Sequence, residues 1–358
     1  MEHLEDETGT RNFWSDVYPT QRRLLLAFIN EAFAKLGSSL TDMNPNTPLS
    51  YPPGVLPKHH RLLDGAFFDI LQDGGLVSRK DGRYMRTSTP VDSTPSEQLY
   101  EKLIRDHPLH ADTHRLLHVT GSQLAECLSG KADPIKLLFG RNKHLLQEFY
   151  TNAPMSVVAS KLLADLLRRV FAQTVREQDR PVEILEIGAG MGGTTKFVLD
   201  MLVEAGIPFR YVFTDISVSF FAAAKNRYKN LPAGCVVEYL VLDIEKAPPG
   251  HLRGVFDAVI STNCIHATKD LVVSCSNARG LLRPGGLFAL VEFTTRLYWL
   301  DLVFGLLDGW WLFEDGRKHC TADEALWEAK LKASGYSDVM WVEGDGNRKP
   351  NPQLIVSV

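Results

Sequence analysis

No stretch of this chain runs apolar for the roughly 20 residues that a membrane-spanning helix needs. No N-terminal segment has the basic-then-apolar pattern of an export signal. The most lipid-like segment, Leu297 to Phe313, is broken by Asp301 and Asp308. Cysteine is scarce: there are five, Cys127, Cys235, Cys264, Cys275 and Cys320, an odd number with no CxxC pair among them. That usage argues against a disulfide framework and for reduced thiols in a cytosolic compartment. Basic runs are missing too, and a net charge of -4 offers no phosphate-tracking face, so nucleic acid is not an expected partner. The single-sign charge is confined to an acidic start, Glu2 to Glu7, which reads as a solvated end. No internal repeat is evident. The expectation is a soluble, cytoplasmic protein.

With 44% hydrophobic and 23% charged residues in 358, a full-sized core is expected, and the length suits two domains. Gln21 to Leu36 has a helical pattern, apolar at Leu24, Leu25, Phe28, Ile29, Ala32 and Phe33, and Gly37 ends it. The Pro-rich stretch from Ser38 to Pro57 reads as a surface loop and as the least ordered part of the chain. Leu62 to Leu71 reads as a helix, and Leu76 to Met85 as a hairpin turning at Asp81-Gly82. Helix plus hairpin is a winged-helix-like unit; without a basic recognition helix it reads as a packing element rather than a DNA reader. Residues 96–180 look helical, interrupted near Pro108, Gly130, Pro134 and Gly140 to Asn142.

From Pro181 the pattern changes to short apolar runs alternating with helical segments. The runs are Val182–Ile187, Phe209–Thr214, Val236–Leu242, Phe256–Thr262 and Leu287–Phe293. Such βα alternation predicts a parallel sheet with helices on both faces. Two closing runs, Asp338–Val342 and Leu354–Val358, are too close together for a crossover helix and should pair antiparallel. The expected organisation is a mostly helical 1–150 followed by an α/β, Rossmann-like 151–358. The chain stops on its last strand, as a domain taken from a longer polypeptide would.

The first strand runs into Leu185-Glu186-Ile187-Gly188-Ala189-Gly190-Met191-Gly192-Gly193, a glycine-rich loop opening a helix near Thr194. Gly188, Gly190 and Gly193 satisfy G-x-G-x-x-G, which admits a nicotinamide dinucleotide. Glu186 argues against a phosphate there, because a carboxylate so close welcomes a cationic or amino group instead. Asp215, ending the next strand, suits a ribose diol. Asp243, ending the third, can accept from an exocyclic amine. Each acid alone is also a reasonable helix cap. In order, with the loop, the closing antiparallel pair and Arg283-Pro284-Gly285-Gly286-Leu287 before the fifth strand, they resemble the class I S-adenosylmethionine-dependent methyltransferases.

His266, in Asn263-Cys264-Ile265-His266-Ala267-Thr268, follows the fourth strand, and Glu292 ends the fifth. A neutral imidazole can take a proton from a phenol or from a carbon between two carbonyls. A carboxylate on its other nitrogen would set the tautomer. Singly each could be an ordinary buried residue; as a pair beside the loop they point to proton abstraction. His110, His114 and His118 share a helical face but cannot converge on one ion, and no metal is expected. Tyr298, Trp299, Trp310, Trp311 and Phe313 read as core or as an apolar wall for an acyl or aromatic substrate, with Trp299, Trp310 and Trp311 the candidate lining.

Five segments are similar to the C-methyltransferase domains of fungal iterative, non-reducing polyketide synthases. They are Glu148-Phe149-Tyr150-Thr151-Asn152-Ala153-Pro154, the glycine loop through Thr195, Phe213-Thr214-Asp215-Ile216-Ser217, Asn263 to Thr268, and Gly309-Trp310-Trp311-Leu312-Phe313. The resemblance implies a helical N-terminal lid and a histidine–glutamate dyad, carried here by His266 and Glu292. It implies S-adenosylmethionine held by Glu186, Gly188, Gly190, Asp215, Ile216, Asp243, Ile244, Asn263 and Tyr150. It further implies methylation of the α-carbon of a β-ketoacyl chain on an acyl carrier protein, with the other synthase domains as partners. An O-methyltransferase acting on a phenol, a non-catalytic cofactor-binding scaffold and a dehydrogenase are the alternatives; Glu186 and Asp243 disfavour the last.

Overall fold

The computed structural model describes residues 6, 8–178, 180–342 and 351–358, with the side chains of 173–178 excepted. Most of the acidic start, Glu2 to Glu7, and the connection 343–350 therefore lie outside the described residues. The chain forms two compact units, Met1–Phe149 with Leu297–Trp311, and Tyr150–Arg296 with Leu312–Val358.

In the first unit, helix α1 (Tyr18–Lys35) buries Leu24, Leu25, Phe28, Ile29, Ala32 and Phe33, the apolar stripe of its sequence. Pro19 sits in its first turn, where a missing N–H costs nothing, and Gly37 at φ +82° ends it. Residues 60–73 form a continuous helix with a π-helical centre, Leu63–Phe67. Strands β1 (Val77–Lys80) and β2 (Arg83–Arg86) make the expected hairpin, with Asp81 and Gly82 both at positive φ, the geometry that Asp-Gly favours.

The Pro-rich stretch is more firmly placed than its composition suggests. Asn46 N and Leu49 N donate to the carbonyls of Arg86 and Tyr84, each at 2.8 Å, and Arg86 N returns a bond to Thr47 O. The buried Arg86 Nε donates to Leu40 O. Proline removes donors, but two that remain, those of Asn46 and Leu49, pair with the edge of β2.

Helices α2 (Ser96–Asp106) and α3 (Ala111–Gly121) pack beside α1. The segment 297–311, assigned from sequence to the α/β part, belongs to this first unit. Its helix Tyr298–Val303 packs on α1 and α3, and Trp299 meets Phe149 edge-on with centroids 5.2 Å apart. Burying large aromatic surface outweighs proximity along the chain.

The second unit opens with helix α4 (Pro154–Gln178), followed by β3 (Val182–Ile187), α5 (Gly193–Glu204), β4 (Phe209–Asp215) and β5 (Cys235–Val241). Then come β6 (Phe256–Thr262), α6 (Leu271–Leu281), β7 (Leu282–Glu292), α7 (Glu324–Ala333), β8 (Val339–Trp341) and β9 (Gln353–Ser357). The seven strands are ordered β5-β4-β3-β6-β7-β9-β8. The first five are mutually parallel, while β9 runs antiparallel to both β7 and β8. Side chains alternate across the sheet. Ile184, Tyr211, Phe213, Ile260 and Val291 pack under α4 and α5, whereas Leu185, Val212, Val259 and Leu290 pack with α6 and α7.

Arg283–Gly286, placed from sequence before the fifth strand, instead lies within it as an irregularity of the pairing. Pairing jumps from Phe256↔Leu282 to Ala258↔Leu287, so β7 begins earlier than its apolar run. Strand order reverses between β3 and β6. In such sheets the crevice at the carboxyl ends of those two strands is where ligands bind.

Candidate active site

Both titratable residues singled out in the sequence lie at that edge. Beyond β6 the chain leaves the sheet at Asn263, which adopts φ +48° and donates its N–H to Val291 O of β7 at 2.8 Å. A single 3-10 turn, Ile265–Ala267, follows and carries His266. Because β6 and β7 are parallel neighbours ending together, this turn sits against the last residue of β7, Glu292. His266 Nδ1 lies 2.6 Å from Glu292 Oε2. Glu292 Oε1 also accepts the backbone N–H groups of Cys264 and His266, each at 3.3 Å. Glu292 is 1% exposed and His266 9%. Two backbone N–H groups and the imidazole Nδ1 thus converge on one buried carboxylate, and an imidazole that donates to it from Nδ1 has its basic nitrogen at Nε2.

The glycine loop bends close against this pair. Gly188 stands at φ +65°, and a Cβ added there would come within 2.2 Å of Cys264 Sγ. A Cβ on Gly193, at the start of α5, would meet Tyr150 O at 2.6 Å. Both glycines are therefore demanded by close approach. Over Gly190 the space is open, the nearest atom to an added Cβ being Gly188 O at 3.8 Å.

Asp215 ties the loop to the end of β4. Its Oδ2 accepts Gly190 N at 3.0 Å and its Oδ1 accepts Ser217 N at 2.8 Å. Next to it, Ile216 is 75% exposed, an apolar side chain left standing at the strand ends. Asp243 accepts Glu245 N at 3.1 Å and pairs with Lys246 at 3.0 Å, while Ile244 is buried. Asn263 Oδ1 is buried without a hydrogen-bond partner among the described residues.

Glu186 behaves differently from a ligand-facing acid. Alternation along β3 turns it toward α5, where its Oε2 accepts from Tyr211 OH at 2.6 Å and from Thr195 Oγ1 at 2.5 Å. Burial raises its pKa to about 7 against the pull of those two donors, with Asp215 adding to the rise. It braces the loop from beneath. Tyr211 was not singled out from sequence, because its partner becomes apparent only once β3 and β4 are paired.

Burial first, then the nearby Glu292 and Asp215, push the Cys264 thiol up to about 12, so it stays protonated at neutral pH. Tyr150, in the helix Lys143–Asn152, has its phenol pushed well above the ordinary value by burial and by the proximity of Cys264 and Glu292.

The three histidines on one helical face go separate ways: His110 to Gly9 O, His114 to Gln21 and His118 to Glu97. Among the described residues no group of three His, Cys, Asp or Glu is placed to hold a metal ion. Trp299, Trp310 and Trp311 are buried within the first unit. Trp310 donates to Asp301 at 3.1 Å and Trp311 to Gly305 O at 2.8 Å.

These residues fit a cofactor such as S-adenosylmethionine. The open backbone over Gly190, the unpartnered Asn263 Oδ1, the exposed Ile216 and the acid at Asp215 together offer hydrogen bonds and an apolar contact to a nucleoside.

The family profile described as a methyltransferase domain matches residues 185–288, and one described as a methyltransferase helix-turn-helix domain matches residues 1–84. The chain is 61% identical to the polyketide methyltransferase ustM of Ustilaginoidea virens, over 98% of this chain and 80% of that protein. It is 49% identical to the non-reducing polyketide synthase pkbA of Emericella nidulans, over 95% of this chain but only 13% of the synthase. Among solved structures, the CMeT domain of the citrinin polyketide synthase matches with TM-score 0.91 and 34% identity, covering 100% of this chain and 93% of that one. The chain is thus a relative of the citrinin domain, not that domain. The trans-methyltransferase CalH, solved in complex with SAH, matches with TM-score 0.69 and 26% identity over 97% of this chain and 91% of that one.

Proposed function

Since this chain belongs to the carbon methyltransferases of polyketide synthases, we propose that it methylates the α-carbon of a β-ketoacyl thioester, with His266 as base and Glu292 as its partner. The observation that carries the reading is the 2.6 Å contact of His266 Nδ1 with the buried Glu292, next to a glycine loop shaped for a cofactor.

When bound, S-adenosylmethionine supplies a sulfonium methyl, an electrophile that needs an electron pair in line. The residues assigned to hold it are Gly188, Gly190, Asp215, Ile216, Asp243, Ile244, Asn263 and Tyr150, with Glu186 supporting the loop through Thr195. A carbon between a ketone and a thioester is acidic enough for a neutral imidazole to deprotonate. The C–H bond breaks, its proton goes to His266 Nε2, and the electron pair spreads over the enolate. Glu292 accepts from Nδ1–H throughout and stabilises the imidazolium that forms.

The thioester chain is proposed to arrive on the phosphopantetheine of an acyl carrier protein. The synthase relative extends far beyond the span matched here, so its other domains are the proposed neighbours.

The test is a mass-spectrometric assay with labelled S-adenosylmethionine and an acetoacetyl-pantetheine thioester. The expected product has one labelled methyl on the α-carbon, and His266→Ala should abolish it while still binding S-adenosylhomocysteine. Full activity in His266→Ala would remove the base. A labelled methyl on oxygen of a phenolic acceptor, with none on carbon, would make this an O-methyltransferase.

A further inference from the structure

Glu292 holds the ring of His266, but the backbone that carries the ring is held from the opposite side. The carbonyls of His266 and Thr268 lie where the 3-10 turn ends, and Cys320 Sγ donates to the first at 3.5 Å. Arg317 takes both: its Nη1 donates to His266 O at 2.9 Å and its Nη2 to Thr268 O at 2.6 Å. The same Nη1 reaches Cys320 O at 3.2 Å. Its Nε is spent on Asp315 Oδ1 at 2.7 Å. The Arg317 and Asp315 side chains are 1% and 2% exposed, so both charges are buried. The guanidinium also lies over the Phe313 ring, 5.1 Å from its centroid. Asp315 is anchored in turn, accepting Leu271 N at 3.2 Å at the start of α6 and facing Lys330 of α7 at 3.5 Å.

We propose that Arg317 is a positioning residue that locks the turn bearing His266, so that the imidazole stays in register with Glu292; the proposal rests on His266 being the base. A buried ion pair contributes little net stability, because desolvation offsets the attraction. What an arginine supplies here is geometry. One rigid, planar fork can satisfy two carbonyls of the same turn while its third edge is pinned by a carboxylate, which the single ammonium of lysine cannot do. Displacing a catalytic group by about 1 Å can cost about 100-fold in rate, so a turn free to shift would lose turnover without losing ligand.

The experiment compares Arg317→Met and Arg317→Lys with the wild-type chain in three measurements. The first is affinity for S-adenosylhomocysteine. The second is kcat and KM with acetoacetyl-pantetheine. The third is the imidazole N–H proton resonance in protein labelled at histidine nitrogen, where the short His266–Glu292 bond gives a downfield signal absent from His266→Ala. Arg317→Met should bind S-adenosylhomocysteine within about threefold of wild type, keep KM, lose roughly 10- to 100-fold in kcat, and lose or broaden the downfield proton. Arg317→Lys should recover part of both. If Arg317→Met does not fold, Arg317→Lys decides the matter, with an expected kcat loss of about tenfold. Either variant with native affinity, wild-type kcat and an intact downfield proton would overturn the proposal. Activity retained in His266→Ala would instead overturn the base assignment, while the proton signal would still judge whether Arg317 holds the ring.

Discussion

One carboxylate holds both parts of His266: Glu292 Oε2 lies 2.6 Å from the ring Nδ1, and Oε1 accepts the backbone N–H of the same residue at 3.3 Å. Ring and main chain are thereby referenced to the end of β7 instead of to a loop. A side chain pinned to a strand end keeps its orientation when the loops around it move.

Glu292→Gln tests that relationship. The amide is nearly the same size but has only one acceptor oxygen, so either the backbone N–H or the imidazole loses its partner. The imidazolium also loses its counter-charge. Turnover should fall by roughly 10²- to 10⁴-fold, with S-adenosylhomocysteine affinity unchanged by isothermal titration calorimetry. A loss smaller than about threefold would reduce Glu292 to a structural cap.

Gly188→Ala tests the close approach of loop and turn. Gly188 is at φ +65° and its new Cβ would overlap Cys264 Sγ at 2.2 Å, so the loop, the turn or both must move. Left-handed backbone alone costs a non-glycine residue about 1 kcal/mol. The variant should bind S-adenosylhomocysteine at least about tenfold more weakly and melt several degrees lower. Adding Cys264→Ala should restore part of the stability by removing the sulfur, though not the backbone strain. Native affinity in Gly188→Ala, measured by calorimetry, would mean that the loop has more room than this geometry allows.

Much of this site was legible before folding, and the reason is physical. Short apolar runs such as Val182–Ile187 and Phe256–Thr262 are bounded by polar segments, and each became a strand with those limits. Residues placed just after parallel strands must gather at one edge of the sheet, so the pairing of His266 with Glu292 followed from two strand assignments. What escaped notice depends on contacts between distant segments. The Ser38–Pro57 stretch is ordered by backbone bonds to Tyr84 and Arg86, which composition does not encode. Leu297–Trp311 joins the first unit because Trp299 finds Phe149 there. Glu186 looked like a ligand to cations, yet strand alternation turns it toward Tyr211. Arg317 sits in an irregular stretch with no motif, and its importance appears only through the carbonyls it reaches.

Asp215→Ala separates binding from chemistry. Its carboxylate accepts the N–H groups of Gly190 and Ser217, so its removal leaves both donors unpaired and frees the glycine loop from β4. Loss of those charge-assisted bonds, together with any ribose contact, should weaken S-adenosylhomocysteine binding by at least about tenfold. At saturating S-adenosylmethionine, kcat should stay within a fewfold of wild type, because His266 and Glu292 are not touched by Asp215. A variant with unchanged affinity would take Asp215 out of the cofactor site.

Glu186 predicts a pH dependence of stability with a definite sign. In the folded protein its pKa is raised to about 7 from the ordinary 4.5, mainly by burial. Between those two values the native state holds a proton that the unfolded chain releases, so stability falls as pH rises through that window and levels off above it. At about 1.4 kcal/mol per pH unit, this one group accounts for a loss of up to roughly 3 kcal/mol. Glu186→Gln cannot ionise and should remove that part of the loss, even though other groups still titrate. The measurement is the urea midpoint of wild type and Glu186→Gln at pH 5 and pH 8. The variant should gain on wild type as pH is raised, while Tyr211 and Thr195 keep an oxygen to donate to. If the two proteins lose stability in parallel between those pH values, Glu186 is ionised in the fold across the whole range, and its brace beneath the loop is a charged one.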